Sequence, residues 1–438
     1  MANLHRFMLI LAVLFFAAAS VCGQSAWTKE NSGVRTFLRT VIWADSQCVV
    51  VGDSGVILTS GDGKIWTKRL SGTTCTLKSV AWNGAAYVIG GDSAFPPYRC
   101  FFLASGDGYS WTKNPGQLSC RCTMIIWTGS RFVALGDSSL NGTVRTEIFS
   151  SADGAAWTRT AWLNDYYTIS IAWNGTRMCA GGYNWYSVGT CSASMPLMRT
   201  SGMIRTSPDG VVWTDKYFGT NTATDSTKGV SSVVWTGSQF VAVGFSKFAL
   251  CPALQDSAVI LASPDGDAWT TRDSHVPGFL HSVAWSGSRL AAVGGGGAII
   301  GSPDGVSWHA DSSGTSLTLN CVCWAGNKFV AVGDSGTILT SPEETVKATQ
   351  KTGANETTRR FDVKISGSTM IVNLPCSFKG SLVRVKIYSM TGKKIMSFTG
   401  TAVDDKVVFD IYRLGSGLYQ VVCENETMMV KRALVICR

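Results

Sequence analysis

Two sets of tryptophans alternate at fixed intervals through the first three quarters of the chain, and no other feature restricts the possible folds as much. One set is Trp43, Trp82, Trp127, Trp173, Trp235, Trp285 and Trp324; the other is Trp27, Trp66, Trp111, Trp157, Trp213, Trp269 and Trp308. From a member of the second set to the next member of the first, the interval is 16 residues in six of seven cases (27→43, 66→82, 111→127, 157→173, 269→285, 308→324) and 22 in the other (213→235). Of the 16 tryptophans only Trp162 and Trp185 lie outside the sets, so the aromatic content belongs to a repeat. A fixed period of this kind means one supersecondary unit stacked on copies of itself.

Each unit reads as an apolar strand ending in Trp, an Asn/Ser-Gly turn, a second strand, Gly-Asp-Ser-Gly, a third strand, a Ser-Pro-Asp-Gly turn and a Trp-Thr strand. Alternation such as Phe-Val-Ala-Val-Gly predicts four short strands per unit. The chain is therefore expected to be all-β: a seven-bladed β-propeller over residues 24–346, with four-stranded blades. The 47 glycines and the charged fraction of only 15% suit short strands and tight turns rather than helices or disorder. In Ser207-Pro208-Asp209-Gly210 and Ser302-Pro303-Asp304-Gly305, Pro presets φ, Asp accepts from nearby amides and Gly takes positive φ. The other copies are Ser60–Gly63, Ser105–Gly108, Ser151–Gly154 and Ser263–Gly266.

The seventh unit breaks off. After Ser341-Pro342, Glu343 and Glu344 replace Asp-Gly, and Lys347 stands where the tryptophan belongs. The missing strand is at the other end of the chain, in Ser25–Lys29 around Trp27. The N-terminal strand is expected to complete the last blade as its outermost strand, beside Thr337–Ser341, removing an open edge.

The Ser-x-Asp-Gly-x-x-Trp turns resemble the Asp-box repeats of sialidase-like propellers, one residue shorter than the usual box. The whole unit resembles propellers of the photosystem II assembly-factor type, over residues 25–346. The resemblance implies the fold, because such turns are structural elements on many proteins. A sialidase also needs an arginine triad and a Tyr-Glu pair; no Arg-Ile-Pro motif occurs, and only Arg39 is suitably placed.

Beyond Glu343 the chain turns polar and Thr-rich, and residues 347–360 read as a linker to a second small β-sandwich at 361–438. Val383–Tyr388 alternates, Met390–Lys394 makes a turn, and the chain ends on the basic-apolar strand Val430–Ile436. Through Val385–Lys394, Leu414–Val421 and Lys431–Ile436 this segment resembles the type A C-terminal sorting domain of the type IX secretion system. The resemblance implies export by type IX machinery across the outer membrane of a Gram-negative bacterium, followed by removal of the domain or attachment to a surface glycolipid. The N-terminus agrees. His5 and Arg6 precede an apolar run, Phe7–Ala19, too short to span a bilayer, and Val21 and Gly23 suit cleavage before Gln24, so residues 1–23 read as a signal peptide. Val21 before Cys22 argues against a lipoprotein, and no later segment is apolar enough for a membrane helix. The expected location is secreted or on the outer-membrane surface.

The net charge of +9 is spread over scattered Lys and Arg, which argues against nucleic acid. Cleavage removes Cys22 from 14 cysteines, and the odd remainder leaves at least one thiol free or shared between chains. The C-x-C pairs Cys120/Cys122 and Cys321/Cys323 read as strand packing, so neither a metal nor a cofactor is expected. Cys191 and Cys251 sit in neighbouring inserts, where they form a bridge or remain buried thiols.

Those inserts mark the candidate site. From first to second Trp the interval is 23 in 43→66 and 285→308, but 29, 30, 40 and 34 in 82→111, 127→157, 173→213 and 235→269. Four consecutive units therefore carry extra loops on one rim, the usual way a repeat scaffold builds a site. The candidate ligand-binding residues are Tyr98, Arg99, Tyr183, Trp185, Tyr186, Phe245 and Lys247, with Trp185 the leading anchor. Aromatics among cations stack on sugar rings or anchor a protein partner; equally, they pack loops together. Four residues before the first Trp stand Arg39, Lys78, His281 and Asn320, which form either a polar cluster near the channel mouth or ordinary solvated strand ends. A glycosidase needs two carboxylates facing one site. Glu147, Asp256 and the turn residues Asp92 and Asp137 are available, but Asp-Ser after the second strand recurs in Asp53 and Asp334 and so reads as turn chemistry. No His has a triad or metal context. The expectation is a non-enzymatic binding protein for an extracellular carbohydrate or protein, with a glycan-cleaving enzyme as the alternative.

Overall fold

A computed structural model of the chain describes residues 26–343 apart from 45, 94–97, 141–142, 165–166, 193–194, 218–227, 250–253 and 277, and then 362–366, 369–374, 382–389, 394–401, 406–410, 417–424 and 429–436. The signal-peptide and linker assignments lie outside the described residues. The chain divides into two compact units between residues 345 and 346.

In the first unit every repeat becomes a four-stranded antiparallel sheet. Sheet 1 is Leu38–Ala44, Gln47–Gly52, Ile57–Ser60 and Thr67–Arg69; sheet 2 is Thr76–Trp82, Tyr87–Asp92, Cys100–Ser105 and Thr112–Leu118. Sheet 3 is Arg121–Trp127, Phe132–Leu140, Thr143–Ser151 and Thr158–Asn164. Sheet 4 (Tyr167–Trp173, Met178–Ser192, Met195–Ser207, Thr214–Tyr217) and sheet 5 (Lys228–Trp235, Phe240–Ala249, Leu254–Ser263, Thr270–Arg272) are joined by one pairing, Arg199 with Phe248. Sheet 6 is Leu280–Trp285, Leu290–Gly294, Ile299–Ser302 and His309–Asp311. Sheet 7 is Leu319–Trp324, Phe329–Gly333 and Ile338–Thr340, completed by Thr28–Glu30 from the other end of the chain, with Thr28 opposite Thr340. The first strands stand side by side in chain order, and that of sheet 7 packs against that of sheet 1.

The two tryptophan sets now have a physical reason. Each apolar cluster lies between two consecutive sheets and takes one tryptophan of each set. Trp82 and Trp111 pack between sheets 1 and 2, Trp127 and Trp157 between sheets 2 and 3. Trp43 and Trp66 join sheet 1 to Val330, Val332 and Ile338 of sheet 7. Between sheets 6 and 7, Trp324 is accompanied by Trp27, so the N-terminal strand fills the position that the seventh repeat lacks.

The turns hold these tryptophans by hydrogen bonds. In all six copies the Gly N–H donates to the Ser Oγ at 2.8 Å. The Asp Oδ1 accepts the next N–H, also at 2.8 Å. Glycine is needed there because φ lies between +72° and +84°. The Trp Nε1 then donates to the Gly carbonyl in five copies, at 2.9–3.2 Å. A fastener that the repeat pattern did not reveal links neighbouring turns. In five of the seven sheets the residue four after the first Trp donates to the Asp carbonyl of the next sheet's turn: Gln47 to Asp107, Arg131 to Asp209, Arg177 to Asp265, Gln239 to Asp304, and Lys328 of sheet 7 to Asp62 of sheet 1. Glu343, at the degenerate seventh turn, pairs with both Lys328 (3.2 Å) and Lys64 of sheet 1 (3.1 Å).

The second unit contains two sheets. One is Asp362–Ser366, Thr369–Asn373 and Lys406–Asp410; the other orders Lys394–Thr401, Leu382–Ser389, Gly417–Glu424 and Met429–Ile436. Val383, Val385 and Ile387 are buried while Arg384 is exposed, as strand alternation requires.

Trp27 is 7% exposed and Trp162, outside both sets, is 54% exposed. Trp27→Ala is therefore expected to lower Tm by on the order of 5–10 °C, since truncating a buried Trp costs about 3–5 kcal/mol. Trp162→Ala should leave Tm within about 1–2 °C. Equal shifts in a thermal melt would contradict the packing role of the N-terminal strand.

Candidate functional site

Each first strand carries a register shift four residues before its tryptophan, at Leu38/Thr40, Leu77/Ser79, Cys122/Met124, Thr168/Ser170, Val230/Ser232, Leu280/Ser282 and Leu319/Cys321. A bulge leaves one residue unpaired and re-aims its side chain. The residues so displaced include Arg39, Lys78, His281 and Asn320. The residue after the shift fastens the neighbouring first strand: Ser79 Oγ accepts from Ile125 N at 2.9 Å, Ser170 Oγ from Val233 N at 2.9 Å, and Ser282 Oγ from Val322 N at 3.2 Å.

Opposite the bulges, the second strands of sheets 7 and 1 lead into Asp334 and Asp53, that of sheet 2 ends on Asp92, and that of sheet 3 carries Asp137. Arg39 donates to both oxygens of Asp53, each at 2.8 Å. Asn320 Nδ2 donates to Asp334 Oδ1 and to the Leu38 carbonyl, both at 3.0 Å. This corrects the reading of Asp53 and Asp334 as turn chemistry alone. The turn is closed by their backbone carbonyls, accepting from Val56 and Thr337. Sheet 6 makes the same turn with Gly295, accepting from Ala298. The carboxylates are thus left to face Arg39 and Asn320. In sheets 2 and 3, Asp92 Oδ2 lies 3.9 Å from Lys78 Nζ and 3.6 Å from Arg121 Nε. Asp137 is the register partner of Arg121.

Sheets 4 to 6 replace this ionic arc with aromatics. Tyr167 and Tyr183 have ring centroids 6.3 Å apart, Tyr183 and Phe245 5.0 Å, Phe245 and Phe279 4.7 Å, and Phe279 and His281 6.4 Å. The rim therefore has two halves, acids with cations or, in sheet 7, an amide over four sheets and a chain of rings over three.

Among the candidate residues, Tyr183 and Phe245 are brought together in the aromatic chain. Tyr98 lies under the Arg121 guanidinium at 4.8 Å, on the ionic arc. Arg99 is exposed, and its backbone closes a loop with Ser93 rather than joining either half. The side chains of Trp185, Tyr186 and Lys247 lie outside the described residues. Their backbones pair with Thr200, Arg199 and Asp256, so the inserts of sheets 4 and 5 are extended two-stranded ribbons rather than open loops. Arg121, Tyr167 and Phe279 were missed. Arg121 was hidden inside a C-x-C that reads as packing, and the other two stand just before or at a strand start.

Burial pushes the Asp137 carboxyl up to about 7, against the pull of Arg121 and Lys78 and helped by Asp92. Its Oδ1 is buried without a hydrogen-bond partner. Burial likewise raises Asp92, opposed by Lys78 and Arg121. The hydrogen bond to Asp53 raises Arg39, and burial lowers His281. Among the described residues no three His, Cys, Asp or Glu side chains are placed to hold a metal ion.

Residues 368–437 match the family model described as the secretion system C-terminal sorting domain. The C-terminal unit is a sorting domain. It indicates secretion or cell-surface export and contact with the secretion machinery. Among the described residues no helix is long and apolar enough to cross a membrane. No curated protein matches the chain. Among solved structures, a catalytically inactive virginiamycin B lyase from Staphylococcus aureus with quinupristin is similar, with a TM-score of 0.51, 10% identity, and coverage of 72% of this chain and 98% of the lyase. At that identity the likeness concerns the propeller-like fold alone.

Asp137 gives a pH signature. Unfolded, an Asp titrates near ~3.9; folded, this one holds its proton to about 7. Between those values only the folded state keeps the proton, so stability falls as pH rises through the window. Asp137→Asn is expected to gain Tm relative to the parent at pH 8 and to lose that advantage by pH 4–5. A pH-independent difference would contradict the buried, unpaired carboxyl.

Proposed function

We propose that residues 24–346 form a seven-bladed β-propeller, exported by a type IX-like system and displayed outside a Gram-negative cell, that binds an extracellular carbohydrate without transforming it. Residues 1–23 act as signal peptide, 347–360 as linker, and 361–438 as a sorting β-sandwich. The observation that carries this reading is the two-part rim, with fixed polar pairs on sheets 7 to 3 beside linked rings on sheets 4 to 6. A sugar has the matching halves. Its adjacent hydroxyls engage planar carboxylate and guanidinium groups, and its C–H face stacks on aromatics. The orphaned Asp137 Oδ1 gains a partner when a hydroxyl arrives. Tyr98 and Tyr183 flank this mouth, and the ribbons carrying Trp185, Tyr186 and Lys247 widen it, with Arg99 at its edge. A protein ligand would use the same face.

The ring supports this reading through its last joint: Trp43 and Trp66 of sheet 1 share a cluster with sheet 7. One observation favours the alternative of glycan cleavage. Burial raises Asp137 to about 7 with Asp92 as a neighbouring carboxylate, and a raised acid next to a second carboxylate is what glycosidases use.

A glycan array on the secreted protein, followed by calorimetric titration of the best hit, separates these readings. Arg121→Ala and Tyr183→Ala should each weaken binding by about tenfold or more, the scale of one lost anchor. Release of reducing sugar from that hit, abolished by Asp137→Asn, would establish the enzyme instead. Binding unaffected by either Ala variant would remove the mouth as the site. Separately, deletion of Phe361–Arg438 should trap the protein in the periplasm; normal appearance at the surface or in the medium would contradict sorting by this unit.

A further inference from the structure

Three buried sulfurs meet between sheets 2 and 3, directly beneath the rim. Cys100 opens the third strand of sheet 2, Cys120 precedes the first strand of sheet 3, and Cys122 lies within it. All three belong to one apolar cluster with Phe102, Ile125 and Phe132. All three are free thiols in the structure, and the neighbouring Cys120 and Cys122, together with burial, push the Cys100 thiol well above its ordinary value.

Two glycines make room for the sulfurs. A Cβ on Gly136 would stand 2.5 Å from Cys120 Sγ, and one on Gly90 2.3 Å from Cys122 Sγ. Neither glycine has a positive φ, so space rather than backbone conformation requires them. At the positions equivalent to Gly136 in the other sheets, such as Gly52, Gly182 and Gly294, the nearest atom is instead a backbone carbonyl. The sulfur contact is particular to this joint.

Register and the order of neighbours favour one pair. Cys100 stands opposite Leu118 on the last strand of sheet 2. Cys120 follows only two residues later, where the chain passes from sheet 2 to sheet 3, and shares the buried cluster with Cys100. Cys122 is farther along and its sulfur is seated against Gly90.

We propose that the exported protein carries a disulfide between Cys100 and Cys120, tying sheet 2 to sheet 3, with Cys122 left as a thiol. The sorting domain takes the chain through an oxidising compartment, where such bridges form and persist. The oxidant is a thiol–disulfide oxidoreductase in its disulfide form. One cysteine thiolate attacks the oxidant's disulfide to give a mixed disulfide, and the second then displaces the oxidant. In total the two cysteines lose two electrons and two protons, and the oxidant leaves as a dithiol. Burial disfavours the thiolate, so the exchange precedes final closure of the cluster. The bridge has a functional consequence, because Arg121 sits between Cys120 and Cys122 and faces Asp92 and Tyr98. A cross-link at Cys120 anchors the backbone that presents this guanidinium.

The chain is suited to a direct test on the full-length secreted protein. Trypsin cuts after Arg99, Lys113, Arg121 and Arg131, which places Cys100, Cys120 and Cys122 on three separate peptides (100–113, 114–121 and 122–131). The protein is unfolded without reductant, alkylated with iodoacetamide, digested and weighed. The expected result is a joined pair of peptides 100–113 and 114–121, separating on reduction, with Cys122 alkylated. Alkylated Cys100, or Cys100 joined to any cysteine other than Cys120, would overturn the proposal. In Cys100→Ser, peptide 114–121 should go from unalkylated to singly alkylated. If it stays unalkylated, Cys120 has another partner and the assignment fails.

Discussion

A four-stranded sheet of this chain has two apolar faces and, among the described residues, no α-helix to cover either. Each face is buried only when the next sheet lies on it, so the stability of every repeat depends on its neighbours. Every cluster in the repeat unit is accordingly shared between consecutive sheets, and each takes one tryptophan of either set. The arrangement tolerates no unpaired end. The last cluster therefore joins sheets 7 and 1, and the missing outer strand of sheet 7 comes from the N-terminus.

The polar contacts follow from the same need. A turn that holds a tryptophan against the preceding sheet must itself be held. The Ser-x-Asp-Gly hydrogen bonds do this locally, and the residue four after the first Trp does it between sheets. The exceptions fit. Sheet 2 has Ala86 at the fastening position, and there Asn114 donates to the Gly154 carbonyl of sheet 3 instead, at 2.8 Å. Sheet 7 has lost Asp-Gly, and Glu343 bridges Lys328 to Lys64 across the closing joint. Because the framework is satisfied by repeated contacts, the rim is free to differ from sheet to sheet, ionic on one side and aromatic on the other.

How much of this was legible in the sequence depended on whether a feature is local. The turns, the four strands per repeat and the placement of Trp27 follow from spacing, because period and turn residues act within a few positions. Tyr98, Tyr183 and Phe245 were legible as insert aromatics. The pairing of Arg39 with Asp53, and of Arg121 with Asp92 and Asp137, was not. It arises from a one-residue register shift, which depends on how two strands align and leaves no mark on the hydrophobic period. Asp53 looked like turn chemistry because Gly-Asp-Ser-Gly is a turn, yet its backbone carbonyl alone makes that turn. The cysteine cluster was invisible for a similar reason, since Cys100 and Cys120 belong to different repeats.

Ligand binding at the two-part rim is the central claim, and a crystal structure of the mature protein soaked with its best array ligand tests it most directly. The account requires density for the sugar between Arg121 and Asp137 on one side and Tyr183 and Phe245 on the other, with a ligand hydroxyl on Asp137. Density on the face of the Ser-x-Asp-Gly turns, with the rim unchanged, would contradict it.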